Sequence, residues 1–428
     1  MTDRLAVLLL AAIALASPVH AQTGAGIEQL KAGLKSPSAD TRAASVKGLA
    51  GIGGFEAADA IAGALGDQDA GVQRAAIDAL LTIYTVPGDL RGRQWGVGAG
   101  TPPVTRVEQA FEAGPFATMP ARVPESAITG LAALVRADES VRTRVSAAYL
   151  LGVIAAPAMG ASPEGLARAG AELAAALAHP DVATRQVVAR VLGRIFTPEE
   201  GRMVPVSLGD AMIQAMNDPD PDVRRWAMDS LGWMRYERAL TALTERFAFY
   251  GNGPDAAAAL HALARIASPN SAPVFLEQLR SRTPALRMIA AEGLGRLGST
   301  EAKAAIRDAA ARERHPSVRL AIAFAQFRHG ELQDIAPIAE GLRAPETEVQ
   351  ARVYLAEIGM DNPVALHPLL RSQDTRLRQG TVELLGVSGR ADQIPVVEPM
   401  LSDPQPAVIE AASEALRRLR ARQTLAAR

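Results

Sequence analysis

The stretch AEGLGRLGSTE, residues 291–301, contains a G-x-G-x-x-G at Gly293, Gly295 and Gly298. A dinucleotide-binding loop of that form follows a strand, so that the phosphates meet the N-terminus of the next helix. Here the preceding RMIAAE reads as helix, and the glycines read as punctuation at a helix end. Working outward, Arg287 is preceded by Leu286 and followed at three, seven and eight residues by Ala290, Leu294 and Gly295. The register recurs at Arg144, Ala147, Leu151 and Gly152, and again at Arg224, Ala227, Leu231 and Gly232. It returns without the alanine at Arg185, Leu192 and Gly193 and at Arg378, Leu385 and Gly386. Arginine, alanine and leucine at spacings of three, four and seven share one helical face. The glycine suits a left-handed helix terminus.

The phase residues are Arg42, Arg74, Arg144, Arg185, Arg224, Ala256, Arg287, Arg319, Gln350, Arg378 and Ile409, and from Arg224 onward the steps are 32, 31, 32, 31, 28 and 31 residues. A period near 31 with two helical patterns per unit signals a helical solenoid. Prolines such as Pro221, Pro284, Pro316 and Pro406 each fall just before a first helix, where a missing N–H is harmless. Asp40, Asp181, Asp222 and Asp374 are placed to cap a helix or face its positive end.

Composition agrees with an all-α chain: hydrophobic residues are 48% but aromatic ones only 4%. The 45 basic side chains are balanced by 46 acidic ones, which gives no global field for nucleic acid. Residues 1–21 have the form of a secretory signal, with Arg4, an apolar run over Leu5–Ala16, and Val19 and Ala21 before the cut. The expected mature chain is Gln22–Arg428, exported to a periplasm or secreted, with no membrane span after cleavage. With no cysteine there are no disulfides, thiolate metal sites or cysteine nucleophiles.

The D-x-x-V-R-x-x-A-x-x-x-L-G pattern, clearest in PDPDVRRWAMDSLG at 219–232, resembles HEAT repeats of the short type found in phycobilisome-lyase-like proteins. The resemblance implies an armadillo-like right-handed α-α superhelix of about eleven helical hairpins, forming one solenoid over 22–428. It also implies that Arg42, Arg74, Arg144, Arg185, Arg224, Arg287, Arg319 and Arg378 form a structural ladder with acids of adjacent units. Ile409 in the arginine position marks the last unit, and the basic end EALRRLRARQTLAAR reads as a solvated cap.

No histidine stands in H-E-x-x-H, and none is followed by glutamate, the pair that the HEAT-like hydroxylase uses for iron. Bilin attachment needs a cytoplasmic chromophore pathway, at odds with an export signal. Asp218, Asp220 and Asp222 alternate as in a calcium loop, but Val223 stands where its glycine belongs. No G-x-S-x-G elbow occurs. No catalytic, metal or cofactor residue is assigned, and no cofactor is expected.

The exception to the repeat is an insertion at 86–124 inside the second unit, with smaller ones near 156–163 and 197–205, all on one edge. A short helix is expected at Thr105–Ala113. The insertion is either a partner site or a structural cover, and Arg91, Arg93, Trp95, Phe111, Phe116 and Arg122 are its candidate contacts. The expected function is an exported, non-enzymatic scaffold or adaptor for a protein partner. The alternatives are an enzyme or accessory of the lyase or hydroxylase kind, or a binder of a small molecule or envelope glycan.

Overall fold

Proline-started, alanine-rich segments pair into helical hairpins along the whole computed structural model, which describes residues 26–427 apart from 53, 87–104, 138–139, 158 and 200–201. The expected signal sequence lies outside these residues. After a short α1 (26–33), the first units are α2 (Ala39–Ile52) with α3 (Ala58–Gly63), and α4 (Ala70–Tyr84) with α6 (Glu125–Arg136), between which lies α5 (Arg106–Ala113). Then come α7 (Val141–Ile154) with α8 (Pro163–Ala176), α9 (Val182–Ile195) with α10 (Val206–Ala215), and α11 (Pro221–Trp233) with α12 (Leu240–Tyr250). They are followed by α13 (Gly253–Ile266) with α14 (Ala272–Gln278), α15 (Pro284–Leu297) with α16 (Thr300–Ala310), and α17 (Pro316–Arg328) with α18 (Ala336–Ala339). The row ends with α19 (Glu348–Asp361) and a 3-10 turn Pro363–Arg371, α20 (Thr375–Ser388) with α21 (Ile394–Val397), and α22 (Pro406–Ala426).

The starts follow local chemistry. Side chains of Asp69, Ser140, Asp181, Asp220 and Asp374 accept hydrogen bonds from first-turn amides, filling orphan donors. Asp40 and Asp222 sit one position inside, in the first turn, where they face the positive helix end. The apolar faces of the hairpins meet in one continuous core of Ala, Leu, Ile and Val along the chain.

The three glycines of residues 293–298 divide three tasks. Gly298 alone takes the left-handed conformation, φ 65°, and ends α15. Gly293 leaves room for the Phe275 ring, which would lie 2.8 Å from an added Cβ. Gly295 lets α15 approach α17, since a Cβ there would stand 2.8 Å from the Ala325 Cα. The recurring glycine of each unit is therefore a crossing residue and not a terminus: a Cβ added at Gly232 would stand 2.7 Å from the Ala262 Cα, and one at Gly386 2.7 Å from the Ala415 Cα. This corrects the left-handed reading of that position. Packing between units selects glycine there, not backbone conformation.

The insertions meet on one edge. α5 opens with a capping box between Thr105 and Glu108, one residue inside the expected start. The chain then returns beside its own departure point, with Val86 N–H donating to Ala117 O at 2.8 Å and Met119 N–H to Tyr84 O at 3.3 Å. Val123 N–H donates to Gly160 O and Gly160 N–H to Ala121 O, joining the first insertion to the second. Arg202, in the third, reaches Ala155 O at the end of α7 at 2.5 Å.

The end of the chain is not a solvated cap. Arg418 of α22 is buried and donates from Nη2 to Phe116 O at 2.7 Å and from Nε to Thr118 O at 3.1 Å. Arg422 bonds Gly389 O and Val387 O. The last unit thus closes onto the insertion of the second, since one guanidinium supplies donors to two of its carbonyls at once.

Candidate functional site

Two sets of arginines run along the first helices. On the edge, Arg42, Arg185, Arg224, Arg287 and Arg378 share one geometry: Nε and Nη2 reach a carboxylate of the next unit, and Nη1 reaches two carbonyls of the turn before its own helix. For Arg185 these are Asp218 at 2.8 and 3.1 Å, His179 O at 2.9 Å and Pro180 O at 3.1 Å. The acids are Asp67 for Arg42, Asp255 for Arg224, Glu313 for Arg287 and Asp403 for Arg378. The partner comes from the following unit, not from Asp181 or Asp222 beside the arginine, because the fork points along the stack. The Arg287 fork holds the Glu313 carboxyl down at about 2.

Three arginines depart from this geometry. Arg144 uses Thr184 at 3.0 Å and Asp181 at 3.6 Å. Arg74 is exposed; the neighbouring Gln73 takes the position and donates to Asp67 O at 2.8 Å, so the register slips by one residue. Arg319 is exposed and forms no ion pair or side-chain hydrogen bond among the described residues. Asp67, Asp218, Glu313 and Asp403 each stand two residues before the next helix cap, as Asp218 does before Asp220, while Asp255 lies in the first turn of α13; for Arg319 the place before the cap is taken by Pro345, ahead of Thr347.

The second set lies nine residues beyond the phase: Arg194, Arg265, Arg296, Arg328 and Arg418. Nine residues are two and a half turns, which puts these side chains across the helix from the ladder. Here residues two units apart meet, as happens only on the inside of a bend. Arg296 grips Glu357 with Nε at 3.0 Å and Nη2 at 2.8 Å, and Tyr354 donates to Glu292 at 2.5 Å. The Phe324 ring stacks on Tyr354 at 4.3 Å beneath Arg296 and Arg328. His261 bridges Asp229 at 3.3 Å and Glu292 at 3.8 Å, while Arg328 takes Asp361 at 2.6 Å. Burial opposes the charge on Glu357, but Arg296 outweighs it and holds the carboxyl at about 2.

Further toward the N-terminus the same face is covered. Phe111 of α5 packs on Tyr149 at 5.3 Å and under the Arg194 guanidinium at 4.3 Å, and Arg190 pairs with Glu112 and lies 4.5 Å over Trp226. Burial pushes the Arg194 pKa down to about 10. Of the candidate contacts in the insertion, Phe111 and Phe116 are 3% and 2% exposed, so both side chains are committed inside the chain. Arg122 is exposed, and its carbonyl accepts from Tyr84 Oη at 3.0 Å. Arg91, Arg93 and Trp95 lie outside the described residues. The calcium-like pattern is taken apart: Asp218 holds Arg185, Asp220 caps α11, and Asp222 pairs with Arg225.

From Trp233 to Asp361 the inner face opens into a cavity of about 250 Å³, with Thr197 and Pro198 on one side and Val353, Ala356 and Met360 on the other. Arg265 and Arg296 line it. Arg265 is 8% exposed, its guanidinium carbon 3.6 Å from the Trp233 ring centroid. Sequence reading missed this face, although the repeat at phase plus nine was visible once the phase was set. Ion pairs saturate most of the charges, and the arrangement suits binding; among the described residues no three or more His, Asp or Glu gather as a metal site. Among them, too, no helix is long and apolar enough to cross a membrane.

The family model for HEAT repeats matches residues 27–91, 170–248 and 252–325, just over half of the chain. No curated protein matches. Among solved structures, an engineered protein is similar at 18% identity and TM-score 0.40, over 92% of this chain and 99% of its own. Kap95p, from a complex with RanGDP, is similar at 13% identity and TM-score 0.40; 93% of this chain is covered, spanning 55% of that protein. The CpcE and CpcF complex of phycocyanin lyase from Nostoc sp. PCC7120 is similar at 18% identity and TM-score 0.39, over 58% of this chain and 94% of that one.

Proposed function

This chain belongs to the HEAT-repeat family, and we propose that it is an exported, non-enzymatic scaffold that binds a protein partner along its inner face. The observation that carries the reading is the unequal covering of that face: the insertion packs over α7 and α9, whereas the described residues leave the stretch from Trp233 to Asp361 open as a cavity. Its rim carries Met360, 50% exposed, and the adjoining loop carries Met203, 85% exposed. Flexible, polarisable methionines beside arginines fit a protein-binding surface. Export is supported by the signal pattern of residues 1–21. Arg122 and the exposed part of the insertion extend the contact edge.

The test is capture from envelope extract by Gln22–Arg428, beside Met360→Asp and Arg122→Glu variants of matched helicity. A partner lost by Met360→Asp supports the inner face, and one lost only by Arg122→Glu moves the contact to the insertion. Capture equal in all three rejects both surfaces, and no capture at all removes the scaffold reading.

A further inference from the structure

Burying a guanidinium without a matching acceptor is costly, and proteins keep such a group where something outside the chain completes it. Arg265 is in that position. It is more than nine-tenths buried, it lines the inner-face cavity, and among the described residues it makes no hydrogen bond and no ion pair. Its Nε is sealed from solvent and unpartnered, and the neighbouring Arg296 leaves Nη1 without a hydrogen bond as well. Three other arginines around the cavity are matched: Arg296 by Glu357, Arg328 by Asp361 and Arg352 by Glu348. Arg235 also lines the cavity without an ion pair among the described residues, but it is exposed to solvent, so Arg265 is the buried cation left without a pair.

We propose that the cavity is a binding site for a single carboxylate carried on a compact apolar body, with Arg265 as its anchor. The planar guanidinium offers the two-pronged geometry that a carboxylate accepts. A dianion such as phosphate would bring its second charge toward Glu357 and Asp361 on the same wall and would leave the apolar side of the cavity unused. Trp233 covers one face of the guanidinium, and Val353, Ala356 and Met360 supply apolar wall for the body of the ligand. At about 250 Å³ the space is below the ~300 Å³ of the smallest drug-sized sites. It holds one residue-sized group, such as the terminal residue of a polypeptide or a free small acid. The polypeptide source rests on the scaffold reading above, whereas the site itself is tested without any partner.

The experiment is titration of the mature protein, followed by tryptophan fluorescence and melting temperature, with 3-phenylpropionate, its amide and inorganic phosphate. Two further arms use a tetrapeptide ending in phenylalanine, free or amidated at its C-terminus. The expected result is that both acids bind and raise the melting temperature, while the amides and phosphate do not. Arg265→Met weakens the acids roughly tenfold or more, the loss of a charge-assisted hydrogen bond. Because Arg265 makes no hydrogen bond or ion pair among the described residues that would be lost, Arg265→Met also leaves the melting temperature of the free protein nearly unchanged. Tighter binding of the free-ended peptide names a chain terminus as the source, and tighter binding of 3-phenylpropionate names a small acid; either supports the site. Equal response to acid and amide, preference for phosphate, unchanged affinity in Arg265→Met, or a strong drop in its stability would each overturn the proposal. Acid binding with no partner captured from extract would remove the scaffold reading alone, and capture without acid binding would remove this site alone.

Discussion

The edge and the inner face of the solenoid use the same side chain in opposite ways. On the edge Arg42, Arg185, Arg224, Arg287 and Arg378 are each matched by the next unit, so losing one pair leaves the other pairs intact. On the inner face Arg296 and Glu357 tie α15 to α19 across the intervening α17, and Tyr354 with Glu292 does the same. The difference is sharpest at the joint between α17 and α19, where the edge has lost its acid to Pro345 and the inner network is densest. A repeat can therefore lose its periodic clamp where an aperiodic one replaces it.

The comparison breaks first at its buried end. Arg296→Met leaves Glu357 buried without its main cation and costs about 3–5 kcal/mol of unfolding free energy, whereas Arg296→Met with Glu357→Leu recovers most of that. Urea unfolding of the two single variants and the double variant measures the coupling. Next comes the crossing between units: Gly295→Ala forces α15 from the Ala325 backbone and costs about 1–3 kcal/mol, read as a lower urea midpoint. A Gly298→Ala control is strained through its positive φ and not through packing.

The edge is weaker. Glu313 is held at about 2, below its ordinary value near 4.5. A depressed carboxylate adds stability that is complete above the unfolded value and is lost as pH falls toward the folded one. Glu313→Gln should therefore flatten the acid limb of stability against pH between about 4.5 and 2, with the plateau lowered at neutral pH. The smallest effect is expected at Arg319→Ala, which has no acid to lose and should leave the urea midpoint where it was. A drop equal to that of Arg287→Ala would show that position in the repeat, and not pairing, sets the contribution.

The periodic part of this was legible in the residues. Arginine, leucine and proline at a fixed spacing gave the stacked hairpins, because each unit meets its neighbour in the same way. Gln73 shows where that reading slips: an exposed arginine beside a buried glutamine satisfies the pattern by name while the glutamine makes the bond. The crossing glycines show another limit, since a helix-end glycine and a close-packed glycine look alike until the neighbouring helix is placed. Contacts such as Glu292 with Tyr354 follow from curvature, which accumulates over units and is written in no single one. Phe111 and Phe116 looked like partner contacts for the same reason; an aromatic in an insertion packs on whatever surface the bend brings to it.

A stack of repeats can ordinarily be lengthened or shortened at its ends, as each unit needs only its neighbour. The bonds from Arg418 to Phe116 and Thr118 remove that freedom by joining positions about 300 residues apart. They raise the mean separation of contacts, and with it the expected folding time. A chain emerging N-terminus first keeps its second unit unfinished until its last helix has been made. Length, for this solenoid, is a fixed circumference.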